Sequence, residues 1–105
     1  MTRQYVKACR RDELQEGDTK NITINGRGIL IALENDRVYA MQNSCTHDGG
    51  AFGDVNVVQG EIQCPRHGAR FDIKNGRAVQ IPAVIDLEIF DVKIENGDVY
   101  VAVTE

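Results

Sequence analysis

Short apolar-rich segments, several of them alternating apolar and polar residues, run through most of the chain. A period of two is typical of strands that bury one face. We predict strands in eight segments: YVKACR, NITING, GILIALEND, RVYAMQ, VNVVQGEIQ, RAVQI, LEIFDVKIE and VYVAV. The segment RRDELQEGD has the character of a helix start, but it is too short for more than about one turn.

Turn dipeptides separate the predicted strands. Asn25-Gly26 is a strong hairpin signal because both residue types tolerate a positive φ, and VNVVQGEIQ is predicted to form a hairpin around Gln59-Gly60. The same punctuation recurs at three further places: Asn35-Asp36, Asn75-Gly76 and Asn96-Gly97-Asp98. The pattern predicts an all-β fold, a small antiparallel β-sandwich or barrel.

Length and composition narrow the class of protein. The 105 residues fit a single domain, and 42% hydrophobic with 27% charged residues is ordinary for a globular chain. A net charge of −4 argues against nucleic acid as a partner, because that binding rests on basic patches. With no apolar run long enough for a signal peptide or a membrane span, we expect a soluble cytoplasmic protein.

Candidate chemistry lies in two Cys/His pairs. Cys45 and His47 form the first pair, Cys64 and His67 the second, and the chain has no other histidine. Closing the predicted hairpin between the pairs would bring them together, so we expect one shared site. A reducing compartment would keep the three cysteines as thiols, available to a metal. Cys9 is the odd cysteine and is expected to be a buried structural thiol.

Two kinds of metal centre suit two thiolates and two imidazoles. Tetrahedral zinc accepts this donor set, although such sites usually take their histidines from a helix, and no helical period follows His67. The alternative is an iron-sulfur cluster in which cysteines hold one iron and histidines the other.

The paired motifs resemble the Rieske 2Fe-2S family. Cys45-x-His47 and Cys64-x-x-His67 are each followed closely by a glycine, and the similarity continues through HGARFDIKNGRAVQIPA and the flanking strands. The resemblance implies one 2Fe-2S cluster, with both cysteines on the inner iron and both histidines on the outer iron. It also implies a sandwich carrying a cluster-binding subdomain, here about residues 43–82, within a single domain spanning 1–105. A third loop that includes Pro82 is expected to cover the cluster.

At several positions near the two motifs, this chain differs from one branch of the family, and these differences indicate that it resembles another branch. Rieske proteins of respiratory and photosynthetic complexes carry a disulfide at positions that match Gly50 and Arg66, so that covalent clamp cannot form here. They also place a serine and a tyrosine where this chain has Ala69 and Phe71, which donate no hydroxyl hydrogen bond. Because Ala69 and Phe71 donate no hydroxyl bond to the cluster and Asp48 adds negative charge, we expect a low reduction potential. The chain resembles the soluble Rieske-type ferredoxins.

That resemblance implies an electron carrier rather than an enzyme. Such ferredoxins pass single electrons from a flavin-dependent ferredoxin reductase to a terminal oxygenase, often one that hydroxylates aromatic rings, and we expect a monomer. Two alternatives remain: the Rieske-like small subunit of an NAD(P)H-dependent nitrite reductase or another multisubunit oxidoreductase, and a structural zinc domain. Residues 66–77 also form a basic segment, with four cations against one acid, directly after the second cysteine.

Overall fold

The computed structural model describes residues 3–104, which form ten strands and one short 3-10 helix. The helix spans Arg11–Glu13, in the segment predicted to hold one turn. The strands, β1 to β10 in order, are Arg3–Arg10, Thr19–Ile24, Arg27–Glu34, Arg37–Gln42, Glu61–Gln63, Arg70–Asp72, Ala78–Gln80, Ile89–Phe90, Val92–Glu95 and Asp98–Thr104.

Three antiparallel sheets organise these strands, which confirms the predicted all-β class. One sheet has the order β1-β10-β9, the second β2-β3-β4-β8 and the third β5-β6-β7. The β2–β3 hairpin turns at Asn25 and Gly26, with φ of 52° and 78°, as the dipeptide predicted. Strand β4 matches the predicted segment RVYAMQ residue for residue.

The four-stranded sheet is covered on both faces, and β3 shows how. Ile29, Ile31 and Leu33 point into a cluster with residues of β1 and β10, while Leu30 and Ala32 point into a second cluster. These five residues are at most 2% exposed. A strand buried on both faces needs a continuous apolar run, and GILIALE supplies one. The second cluster contains Cys45 and Cys64, so the sandwich directly supports the candidate site.

Two predicted segments depart from the prediction. LEIFDVKIE is not one strand: it divides at Asp91 into β8, which pairs with β4, and β9, which pairs with β10. The VNVVQGEIQ hairpin is reduced to an isolated bridge between Val58 and Glu61 around the expected turn. Its first arm is diverted because the Val57 N–H donates to the Gly17 carbonyl at 2.8 Å instead of to a neighbouring strand.

The described part of the chain contains no helix of the length and apolarity needed to span a bilayer.

Candidate metal centre

The two Cys/His pairs lie on two loops, each of which follows a strand. The first loop, residues 43–52, leaves the end of β4, and the second, residues 64–69, connects β5 to β6. The structure therefore places the second pair inside the β5–β6 hairpin, rather than at the end of the hairpin expected around Gln59-Gly60. The two loops still meet, because the Arg66 side chain of the second loop donates to the Asp48 carboxylate and to the Ala51 carbonyl of the first loop.

Both loops use the same backbone turn. In the first, the Cys45 N–H donates to the Gly50 carbonyl at 2.8 Å and the Gly49 N–H donates to the Cys45 carbonyl at 2.7 Å. In the second, the Cys64 N–H donates to Ala69 at 2.7 Å and the Gly68 N–H donates back to Cys64 at 3.0 Å.

The closing glycine of each turn has a left-handed conformation, with φ of 76° at Gly49 and 79° at Gly68. Such values are accessible to glycine without a Cβ clash. This requirement explains why a glycine follows each Cys/His pair.

Burial separates the cysteines from the histidines. Cys45 and Cys64 are 0% exposed, whereas His47 and His67 are exposed, with 49% of the His67 side chain accessible. The two imidazole rings lie edge to face, with their centroids 5.0 Å apart. The thiols thus line the inside of the site and the imidazoles line its outer rim.

Burial also sets the protonation of the Cys45 thiol. Desolvation raises the pKa of Cys45 above its ordinary value, while hydrogen bonds from the backbone N–H groups of His47 and Asp48 act in the opposite direction. The net direction of the pKa shift is upward, so binding of a metal would have to displace the proton of the Cys45 thiol.

An acidic side chain lies beside the thiols. One carboxylate oxygen of Asp48 and the sulfurs of Cys45 and Cys64 all lie within 4.8 Å of one another. Asp48 is also 3.7 Å from Nε2 of His67. The Arg66 guanidinium and the Gly50 N–H, in that order, hold the pKa of Asp48 well below its usual range, so this residue is a carboxylate at neutral pH.

Sequence reasoning missed how Asp48 and Arg66 interact. Arg66 Nε and Nη2 donate to the two carboxylate oxygens of Asp48 at 2.6 and 3.0 Å. From the sequence alone, Asp48 was interpreted as a negative charge without a partner, and Arg66 as one of four cations in a basic segment. The only available signal was that opposite charges occur in both loops, one residue from a histidine in each case.

A third segment, between β7 and β8, contacts the first loop; that this segment, with Pro82, covers a cluster stays a prediction from the family resemblance. The Thr46 hydroxyl donates to the Ile85 carbonyl at 2.5 Å, which ties the segment between β7 and β8 to the first loop. Three large apolar residues in this segment are highly exposed: Ile81 at 73%, Val84 at 82% and Ile85 at 63%. Exposed apolar residues grouped beside a candidate site are typical of a protein contact surface.

Cys9 lies outside the site. It is buried in β1, within the cluster that does not contain Cys45 and Cys64. Burial, and secondarily the charge of Glu13, raises the pKa of its thiol. Its predicted role as a buried structural thiol agrees with this position. All three cysteines are free thiols.

Comparisons with known proteins point to one family. The family described as Rieske [2Fe-2S] domain matches residues 4–91. A ferredoxin component of the naphthalene 1,2-dioxygenase/salicylate 5-hydroxylase systems of Ralstonia sp. is 35% identical over 96 residues, which cover 91% of this chain and 92% of the relative.

Solved structures agree with the sequence comparison. The ferredoxin of carbazole 1,9a-dioxygenase from Nocardioides aromaticivorans IC177 superposes with a TM-score of 0.86 at 27% identity, covering 93% of this chain and 96% of that one. A chain in the complex of reduced oxygenase and oxidised ferredoxin of carbazole 1,9a-dioxygenase superposes with a TM-score of 0.88 at 27% identity, covering 93% and 92%.

Proposed function

This chain belongs to the Rieske 2Fe-2S domain family, and from that premise we propose that it is a low-potential ferredoxin serving an aromatic-ring-hydroxylating oxygenase system. Its relatives of nearly equal length are named as ferredoxin components of dioxygenase systems. The chain is accordingly an electron carrier and not itself an enzyme. The observation that carries the proposal is the pairing of two buried thiols with two exposed imidazoles on twin loops.

Cys45, Cys64, His47 and His67 would hold the cluster, the cysteines at the buried iron and the histidines at the exposed one. The donor set fits, because Rieske centres use two cysteines and two histidines. When bound, the cluster supplies reversible one-electron chemistry. The protein residues supply the rest: the twin turns fix the thiols, and the exposed imidazoles provide the point where a partner can approach.

The spacing of the donor atoms disfavours a single zinc ion. Tetrahedral bonds of about 2.0 to 2.3 Å place zinc ligand atoms roughly 3.3 to 3.8 Å from one another. Among residues 3–104, the group of potential ligands that meets within 4.8 Å joins the thiols to Asp48, and no histidine belongs to it. Imidazoles set further from the thiols than one zinc ion permits support a two-iron centre.

The proposal extends to the organisation of the chain and to its partners. We assign residues 1–105 to a single domain with a cluster-binding subdomain of about 43–82. We place the protein in the cytoplasm as a monomer, since a reducing compartment suits three free thiols. A flavin-dependent reductase would deliver electrons, and a terminal oxygenase would receive them. The exposed apolar residues between β7 and β8 support a contact surface beside the histidines.

Metal and sulfide analysis of the purified protein tests the proposed cluster. We expect a red-brown protein with about two irons and two acid-labile sulfides per chain. Cys45→Ser should abolish the visible spectrum because it removes a proposed ligand. Cys9→Ser is the matched control and should leave the spectrum unchanged, since Cys9 lies in the other apolar cluster. One zinc per chain without sulfide would contradict the proposal.

A further inference from the structure

One side chain connects the two ligand loops. Besides its two bonds to Asp48, the Arg66 guanidinium donates to the carbonyl of Ala51 from Nη1 at 2.7 Å and to the carbonyl of Gly50 from Nη2 at 3.0 Å. The four bonds leave from all three guanidinium nitrogens. They reach three residues of the first loop: Asp48 through its side chain, and Gly50 and Ala51 through their backbone carbonyls. A planar fork that binds a carboxylate and two carbonyls fixes orientation as well as distance.

The first loop is shaped to receive this side chain. A Cβ at Gly50 would lie 2.8 Å from Nη2 and 2.9 Å from Cζ of Arg66, closer than such atoms approach. The Gly50 N–H instead donates to Oδ1 of Asp48 at 2.9 Å, which holds the carboxylate in position for the guanidinium. Gly50, Asp48 and Arg66 therefore form one matched unit. Gly50 and Arg66 occupy the positions at which the disulfide-bearing branch has cysteines.

The unit also carries charge next to the proposed ligands. The Asp48 carboxylate is 3.7 Å from the His67 ring nitrogen and 3.9 Å from the Cys64 sulfur, and 19% of its side chain is exposed. A bare carboxylate there would oppose the arrival of an electron. The Arg66 cation, 2.6 Å away, compensates it. The lowering of the potential that the sequence led us to expect from Asp48 is therefore offset by Arg66 in the natural chain.

We propose that Arg66 and Asp48 are positioning residues: an ionic lock that replaces a covalent link between the ligand loops and keeps the charge beside the cluster balanced. The inference rests on the proposed function, because it assumes that the two loops hold a 2Fe-2S cluster. Holding the loops together slows the loss of the cluster. Balancing the charge sets how readily the cluster accepts an electron.

Cluster release is the first measurement. The purified holoprotein is mixed with an iron chelator and the decay of its visible absorption is followed. Arg66→Gln and Asp48→Asn should each lose the cluster several-fold faster than the natural chain. Arg66→Lys should also lose it faster, because lysine keeps the charge but cannot form the fork. Arg70→Gln, with the same change of side chain and charge at the start of β6, is the matched control for this measurement and should release its cluster as slowly as the natural chain.

The reduction potential is the second measurement, and it separates the lock from a purely structural role. Asp48→Asn leaves an unbalanced cation and should raise the potential, whereas Arg66→Gln leaves an unbalanced carboxylate and should lower it. The double variant should fall between the two single variants. A structural disturbance alone gives no reason for opposite shifts, so potentials that move in the same direction would overturn the charge-balancing role.

A double-mutant cycle on thermal unfolding completes the test and does not require the cluster. The losses in free energy of unfolding caused by Asp48→Asn and Arg66→Gln should not be additive. The double variant should lose less than the sum of the two single losses, and the difference is the coupling free energy of the pair. If the natural chain holds no iron but the coupling is present, the ionic link between the loops stands, while its effects on a cluster fail together with the proposed function. If the chain holds the cluster but the variants release it as slowly as Arg70→Gln and show no coupling, the lock fails and the function stands.

Discussion

Cys45 and Cys64 have no exposed surface, whereas the two histidines that accompany them are exposed. The sequence identified these four residues because the chain contains only two histidines and each follows a cysteine closely. It could not reveal which atoms face solvent. That depends on the twin turns, which direct the sulfurs toward the apolar cluster containing Leu30 and Met41. The ligand roles themselves stay predictions until metal analysis tests them.

Arg66 illustrates what sequence reasoning at the level of single residues cannot supply. Its charge was visible, but its partner, eighteen positions earlier, was not. A pairing between loops depends on how β4 and β5 place their ends, and a linear pattern contains no such information. The chain lacks only the covalent clamp, because Arg66, at one of the two matching positions, pairs with Asp48 and also donates to the carbonyl of Gly50 at the other.

A hydroxyl in the second loop should change the reduction potential. Ala69 is fully buried, and its carbonyl accepts the Cys64 N–H at 2.7 Å. A serine hydroxyl there can donate to the electron-rich reduced site more strongly than to the oxidised one. Ala69→Ser should therefore raise the potential, by about 40 mV if the two redox states differ by about 1 kcal/mol in the strength of one hydrogen bond. Protein-film voltammetry measures the shift.

Ala8→Ser provides the control for Ala69→Ser. Ala8 lies in β1 and packs against the other apolar cluster, so its hydroxyl should leave the potential unchanged. The companion substitution Phe71→Tyr is also expected to raise the potential. It is a less selective test, because Phe71 packs edge-on against Phe52, with the ring centroids 5.7 Å apart. A lower potential in Ala69→Ser would contradict the hydrogen-bond argument.

At the level of elements, turns were predicted more accurately than strand partners. The dipeptides at Asn25-Gly26, Asn35-Asp36 and Asn96-Gly97 all turn a hairpin, with a positive φ at both positions. Turn chemistry is local, so a few residues decide it. Which strands pair is not local. The alternation of LEIFDVKIE continues across Asp91 although the chain changes sheets there, because a period of two reports which face is buried and not which strand lies alongside.

Gly76 connects two elements beside the site and should tolerate no side chain. Its carbonyl accepts the Leu87 N–H at 2.7 Å, and a Cβ would lie 2.2 Å from the Leu87 carbonyl oxygen. Gly76→Ala must therefore push away the segment that Thr46 ties to the first loop. We expect it to lower the free energy of unfolding by about 1 to 3 kcal/mol more than a glycine-to-alanine change without a clash, as measured by denaturant titration.

Gly97→Ala supplies the comparison for Gly76→Ala. The two glycines have nearly equal φ, 79° and 78°, so both substitutions carry the same backbone strain. At Gly97, however, the nearest atom to a new Cβ is Arg10 Nη2 at 3.9 Å, an ordinary contact. The difference between the two variants isolates the collision with Leu87. Equal losses would show that the segment between β7 and β8 yields freely.

At the scale of the whole molecule, one apolar cluster stabilises the scaffold and the other supports the site. One cluster lies between the β1-β10-β9 sheet and the four-stranded sheet, and the other lies between the four-stranded sheet and the ligand loops. Because β3 contributes side chains to both clusters, the loops pack on a sheet whose opposite face is also covered. Alternation predicted a small antiparallel sandwich or barrel, but the two-sided burial of β3 was visible only as an apolar run.

The charge of the molecule bears on how it meets its partners. The chain carries a net charge of −4, yet the second ligand loop is followed directly by Arg70, only three residues from His67. Exposed charges act over a Debye length of about 8 Å at physiological ionic strength. Nearby cations therefore influence a partner at the histidines more than distant acids do. Since Arg66 is engaged by Asp48, Arg70 is left as the neighbouring cation on this side of the site.

Electron delivery should depend on salt and on Arg70. With a flavoprotein reductase or an oxygenase in excess, the second-order rate constant for electron transfer should fall as ionic strength rises, because screening weakens encounter between exposed charges. Arg70→Gln should change the rate at low salt and reduce its salt dependence. Lys93→Gln, on β9 in the sheet that does not carry the two Cys/His loops, should leave the rate and its salt dependence unchanged.

Stopped-flow absorbance provides the rates, and gel filtration should show a small free protein. A rate insensitive to salt, together with a large complex that persists at high salt, would instead identify a tightly bound subunit of a larger oxidoreductase.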